Sequence, residues 1–228
     1  MNRGLKKALG QVRLELRIAW TERHARAAFQ KLQERAELKV HLGCGSDLRA
    51  GWVNIDLNFS DRKKGRTDAL YINHDLRRGL PLAEQSCAFI YSSHLFEHLD
   101  EAEGMALMRD CFKALQVGGT FRIVLPDMPR LFQAYLNDDI DFFRLLDVHQ
   151  LIGGYPGSAR SMVDYVNYAV YQFGEHKCLY DFEKLNRTLT EIGFASVMQS
   201  NFSAGVDVPS DLRRTYSFYT EATKLELL

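Results

Sequence analysis

Two groups of residues have the types and spacing that chemistry needs. His94, Glu97 and His98 stand at i, i+3 and i+4, which on a helix sets all three on one face. Histidine and carboxylate at that spacing can bind a divalent metal. The second group is the turn Gly43-Cys44-Gly45 after the apolar run Leu38–Leu42, together with Asp56 at the end of Trp52-Val53-Asn54-Ile55-Asp56. Glycine tolerates positive φ and has no Cβ, so a ligand can come up to the backbone there. A carboxylate ending the next strand can accept hydrogen bonds from both hydroxyls of a ribose, as in nucleoside cofactor sites at the carboxyl ends of open α/β sheets. Gly-Cys-Gly-Ser-Asp-Leu lacks the third glycine of the dinucleotide fingerprint.

The elements that would hold these groups read as alternating strands and helices. Strand one is Lys39–Leu42. Only about ten residues separate Gly45 from Asp56, so Asp47–Ala50 can make one turn at most and the first crossover is truncated. Residues 58–68 are polar and aperiodic, a loop. Ala69–His74 is strand three and Cys87–Tyr91, mostly apolar, is strand four. Glu101–Gln116 reads as a helix with Gly118-Gly119 as its C-terminal stop, followed by strand five, Thr120–Leu125. Residues 127–177 exceed what a minimal fold of this kind needs. Their apolar spacing predicts helices over Pro129–Leu136, Ile140–Gln150 and Arg160–Phe173, with a break at Gly153–Gly157. Tyr155, Tyr165, Tyr168, Tyr171 and Phe173 could wall a substrate pocket, though aromatics at helical spacing are more often core; a long insertion tilts the reading toward a lid. Phe182–Ile192, stopped by Gly193, is the last long helix; Ala195–Ser200 and Tyr216–Lys224 are strands six and seven. Ahead of all this, residues 4–36 carry Leu5, Leu9, Val12, Leu16 and Ala19 at helical spacing.

His41-Leu42-Gly43-Cys44-Gly45 followed by Gly51-Trp52-Val53-Asn54-Ile55-Asp56 resembles the first two motifs of class I S-adenosylmethionine-dependent methyltransferases. More narrowly, it is similar to a bacterial subgroup of the type 11-like enzymes written "LGCG…GWVNID". His74-Asp75-Leu76, the run from Leu80 to His98, Leu115–Asp127 and the tail Ser217–Lys224 resemble later signatures of the same family. The resemblance implies a Rossmann-like α/β fold: a seven-stranded, mostly parallel sheet between helical layers, with an antiparallel last strand. Residues 1–36 would be a basic helical extension to a methyltransferase domain over 37–228. S-adenosylmethionine is the implied cofactor. Leu42, Gly43, Cys44, Gly45, Asp56 and Leu57 would hold its ribose and backbone-facing parts. Asp75 and Leu76 would meet the adenine, although Asp75 can also be read as capping a turn. Ser92 and Ser93 would lie beside the methionine half. Methyl transfer is an in-line displacement that benefits from a positioned base when the acceptor is a hydroxyl. His94 is the first candidate for that role and His176 the second. Some metal-assisted methyltransferases carry ExxEH where His94-Leu95-Phe96-Glu97-His98 stands, but EH at this place is widespread in enzymes without metal. A structural or orienting role for Glu97 therefore leads, and no metal is assigned.

Composition sets the remaining bounds. The 228 residues, 46% hydrophobic and 25% charged, suit one domain with a proper core. The net charge is zero, yet residues 1–35 hold nine Lys/Arg against three Asp/Glu. The body is therefore acidic and not built as a nucleic-acid binder. The basic segment could pack on the domain or on a second subunit, or lie on an anionic membrane surface. Four cysteines without zinc spacing, no spanning apolar run and no leader-like start point to a reduced, cytoplasmic protein. The leading reading is methyl transfer to a small molecule or a sugar or glycan precursor, at oxygen. The rivals are a non-catalytic binding module of the same fold, tethered to a membrane or partner, and a nicotinamide-dependent oxidoreductase.

Overall fold

The computed structural model describes Val12, Leu16 and residues 20–57, 69–148 and 161–226. The predicted loop 58–68, the break at 153–157 and most of the segment before Trp20 lie outside the described residues. Helix α1 (20–30) leads into β1 (Leu38–Leu42), β2 (Val53–Asp56), β3 (Leu70–Asn73) and β4 (Cys87–Ser93). Then come α2 (Glu101–Ala114), β5 (Leu115–Pro126), α3 (Met128–Leu136), α4 (Ile140–Val148) and α5 (Met162–Tyr171). The chain closes with α6 (Phe182–Ile192), β6 (Ser196–Ser200), α7 (Asp211–Tyr216) and β7 (Ser217–Thr223).

The strands form one sheet in the order β3-β2-β1-β4-β5-β7-β6. All neighbours are parallel except β7, which runs antiparallel to β5 and β6. The order reverses between β1 and β4, and the carboxyl ends on either side of that switch point are where an open α/β sheet takes its ligand. The ladder continues past the strand ends there: Cys44 N–H donates to Ile55 O at 3.2 Å, His74 N–H to Asp56 O at 3.1 Å, and His94 N–H to Val124 O at 2.9 Å.

One face of the sheet, carrying Val40, Leu42, Ile55, Ile72, Ile90, Phe121 and Ile123, makes the main core with α1, α2 and α6. Helix α1 contributes Ala25, Phe29 and Leu32 to it, spaced to lie on one stripe. The opposite face carries Asn54, Tyr91, Arg122, Val124 and Tyr219 and is covered by the β1–β2 crossover and the segment after β6. The crossover is as short as expected, and a buried asparagine builds it. Asn54 Oδ1 accepts from Arg49 N–H at 2.9 Å, and its Nδ2 donates to the carbonyls of Arg49, Trp52 and Leu70 at 3.0–3.2 Å.

Two boundaries differ from expectation. Helix α2, started by the Asp100–Glu103 capping box, ends at Ala114, before the glycine pair. Gly118 (φ +79°) and Gly119 lie inside β5, at a register shift where Leu115 pairs with Cys87 and Thr120 with Phe89. A Cβ at Gly119 would sit 2.9 Å from Gln116 O and 3.1 Å from Cys87 O. Close backbone approach across the sheet, rather than a helix stop, is what demands glycine there. Residues Phe96–His98 form a single 3₁₀ turn, and His94 precedes it with φ +51°. His94, Glu97 and His98 therefore do not share the face of an α-helix.

The insertion makes a second small core of Met128, Leu131, Ala134, Phe142, Phe143, Leu146 and Ala169, closed by Tyr216 from α7. It is tied back to the sheet end by Lys177 and Cys178, whose N–H groups donate to Glu97 O at 2.7 and 3.2 Å.

Candidate functional site

At the end of β1, Gly43 and Gly45 both adopt positive φ (+62° and +51°). A Cβ at Gly43 would meet Leu95 at 3.1 Å, whereas nothing lies within 4 Å of one at Gly45. The turn is thus closed on one side and open on the other. Asp56 ends β2 beside it, and its Oδ2 accepts from Gly45 N–H at 2.5 Å. That bond holds the carboxylate at the mouth of the open side. A turn without a Cβ in front of it and an acid held next to it fit the sugar of a nucleoside cofactor.

Leu42 and Cys44 are buried, and Leu57 is half-buried after β2. Asp75 caps the turn Leu76–Arg78 and is paired with Arg77 at 2.7 Å. Burial pushes its pKa up, but the Arg77 hydrogen bonds outweigh that and hold it below the usual carboxylate value. Leu76 is part of the main core. Ser92 and Ser93 end β4 in buried positions; the Ser92 hydroxyl has no partner among the described residues, while Ser93 Oγ accepts from Arg213 at 2.7 Å.

Beyond β4 lies a cavity of about 210 Å³. His94, Glu97 and His98 line it from one side, Tyr168, Gln172 and His176 from α5 and the turn after it, and Arg213 and Tyr216 from α7. Both histidines expected from the sequence are therefore in one cavity, joined by the insertion's tether to Glu97. His94 Nε2 lies 2.8 Å from Ser217 Oγ, and its Nδ1 lies 3.3 Å from Glu97 Oε1. Burial, then the Arg213 charge, pulls the His94 pKa well below the ordinary value, so the ring is neutral at pH 7. Burial pushes Glu97 up to about 8. Both Glu97 oxygens and the Tyr216 hydroxyl are buried without a hydrogen-bond partner among the described residues. Burial also lowers His98 and His176. Neutral imidazoles around a buried carboxyl group can hold or accept protons and can ligate.

The predicted aromatic wall is mostly elsewhere. Tyr168 lines the cavity, Tyr165 packs into the second core, and Tyr171 and Phe173 are exposed; Tyr155 is outside the described residues. Arg213, Tyr216 and Ser217 were not singled out by sequence reasoning. A topological signal for them existed. Since β7 runs antiparallel to β5, the residues just before it must return to the carboxyl end of the sheet.

No protein-family model matches the chain, and no curated protein matches it in sequence. Among solved structures it is similar to a S-adenosylmethionine-dependent methyltransferase from Archaeoglobus fulgidus, at 16% identity and a TM-score of 0.51 over 92% of this chain and 94% of that one. It is also similar to a complex between a methyltransferase activator of Haloferax volcanii and a candidate methyltransferase, at 15% identity and a TM-score of 0.54 over 98% and 95%. The chain has the Rossmann-like fold of the class I methyltransferases.

Proposed function

We propose that the chain binds S-adenosylmethionine across the carboxyl ends of β1–β4 and transfers its methyl group to the oxygen of a small acceptor seated in the His94 cavity. One observation carries the reading: the open glycine turn, with Asp56 fixed on the Gly45 amide, stands at the same end of the sheet as the cavity that holds the neutral His94 and the buried Glu97 carboxyl group. When bound, the cofactor supplies a methyl group on a good leaving group. The chain's own part is to hold and to orient. Asp56 accepts the ribose hydroxyls, the Gly43–Gly45 backbone lies against the nucleoside, and Asp75 stands where the adenine ends. Ser92 and Ser93 border the methionine half. His94, neutral and steadied by Ser217 Oγ at 2.8 Å, takes the acceptor's proton. His176 stands across the cavity from it as the second candidate. Sugar and glycan precursors remain the proposed acceptor class, on the resemblance alone.

Titration calorimetry with S-adenosylhomocysteine tests the binding half. Asp56→Ala removes a charge-assisted hydrogen-bond acceptor and should weaken binding by about 10–100-fold or more, with the melting curve checking that the variant is folded. Binding at full strength would overturn the assignment. Saturable heat with NADH and none with S-adenosylhomocysteine would instead favour the nicotinamide reading.

A further inference from the structure

The cavity wall holds a second, separable feature. Glu97, His98 and His176 each offer a ligand atom within 4.8 Å of the other two. Glu97 and His98 are neighbours in sequence but His176 is remote, and the backbone bonds from Lys177 and Cys178 to Glu97 O bring it to them. The His98 and His176 rings meet edge to face with centroids 4.8 Å apart. His176 Nδ1 lies 2.8 Å from Ala169 O. A carbonyl can only accept, so Nδ1 carries the ring proton and Nε2 is left with its lone pair. Donation of one ring nitrogen to a backbone carbonyl is how ligating histidines are held. Glu97, 2% exposed, has no hydrogen-bond partner among the described residues at either oxygen, with His94 Nδ1 3.3 Å from Oε1, and lines the cavity. Arg213, the other charged side chain in the lining, is engaged by Ser93.

We propose that Glu97, His98 and His176 form a binding site for one first-row divalent transition metal ion, with its open coordination positions facing the cavity. Two imidazole nitrogens and one carboxylate suit zinc, iron(II) or cobalt(II) and not magnesium or calcium, which prefer oxygen. Bond lengths of about 2.0–2.2 Å require the ligand atoms to close to somewhat over 3 Å from one another, a shift of roughly 1–1.5 Å. The trio is not the sequence-local group His94, Glu97 and His98, to which the sequence alone assigns no metal. His94 is turned toward Ser217 by its left-handed backbone, and the insertion delivers His176 in its place. The metal would touch an acceptor oxygen entering the cavity, but its binding does not depend on the methyl-transfer reading.

The full chain, stripped with a chelator, is titrated with zinc chloride, and separately with cobalt(II) chloride followed by its visible absorption. One equivalent of zinc should bind, raise the melting temperature, and compete out cobalt(II) bands of a mixed nitrogen–oxygen site. His176→Ala and Glu97→Gln should each weaken zinc by more than the 10–100-fold typical of changes behind the ligands. His24→Ala, on the exposed side of α1, should leave it unchanged. No saturable equivalent, unchanged zinc affinity in both ligand variants, or equal uptake of magnesium would overturn the site. Imidazole NMR of the unaltered chain guards against misfolded variants: zinc must shift His98 and His176, and unshifted resonances count against the proposal. Because occupancy is read without turnover, its failure leaves the methyl-transfer reading intact, and the loss of that reading leaves the site standing.

Discussion

A histidine inside a sheet is charged only at a cost, and His41 shows this on the polar face. It lies on β1 at 2% exposure, with Nδ1 4.0 Å from Asp47 Oδ2 and Tyr91 beside its ring at 5.0 Å. Burial, then the Arg49 charge, lowers its pKa to about 3, against the weaker upward pull of Asp47. Above pH 6.5 neither the folded nor the unfolded chain is charged there, and the residue's contribution is fully present. As pH falls below 6.5 the unfolded chain binds a proton that the folded chain refuses, so stability drops by up to 1.36 kcal/mol per pH unit. Between pH 6.5 and 5 that amounts to about 2 kcal/mol. Urea unfolding at both pH values should show the parent losing about 2 kcal/mol more than His41→Gln. Equal losses would mean that the ring is protonated in the fold. The chemistry at residue scale was only half legible in the sequence. The glycine turn and Asp56 are local in sequence, and the structure sets them side by side. The cavity depends on His94 in a left-handed conformation and on a tether between residues 97 and 177, neither of which leaves a periodic trace.

Elements were legible where burial alone dictates their period. β1, β4 and α6 are apolar on the faces that are covered, and they fall within two residues of expectation. The boundary between α2 and β5 was misread because a glycine pair has the same appearance at a helix end as at a strand irregularity; only the partner strand distinguishes them. Arg122 on β5 was likewise invisible as an organiser. It is 1% exposed, donates to Asp207 through Nε at 2.8 Å and Nη2 at 2.5 Å, and to Glu221, Ser200 Oγ and Asn201 O at 2.6, 3.0 and 2.8 Å. This one side chain fixes the segment between β6 and α7, and so the approach to Arg213 and Tyr216 in the cavity. Arg122→Leu would leave the buried Asp207 carboxylate without its cation, at a cost of about 3–5 kcal/mol. Adding Asp207→Leu removes the stranded charge, so the double variant should recover much of that loss in urea unfolding. If the double variant were as unstable as the sum of the single ones, the pair would not be coupled.

At the scale of the whole molecule, the basic N-terminal segment and the acidic body divide differently in space from how they divide in charge. Among the described residues no helix is long and apolar enough to cross a membrane. Val12, Leu16 and Trp20 are exposed, while Thr21, Ala25, Phe29 and Leu32 are buried in or against the main core. The helix is bolted to the segment after β3: Phe29 meets His74 edge to face at 5.2 Å, Glu22 pairs with Arg78 at 2.5 Å, and Gln33 donates to Pro81 O at 3.1 Å. It therefore covers the sheet beside β3 and contributes to the fold itself. Phe29→Ala alone should cost about 3–5 kcal/mol, a large fraction of the 5–15 kcal/mol that stabilises an ordinary domain. Removing residues 1–19 should leave the melting temperature within a few degrees of the parent. Removing residues 1–35 should leave no cooperative transition, because the main core then opens along β1–β3. A cooperative, native-like melt from the longer truncation would show that α1 is an appendage whose burial the rest of the chain does not need.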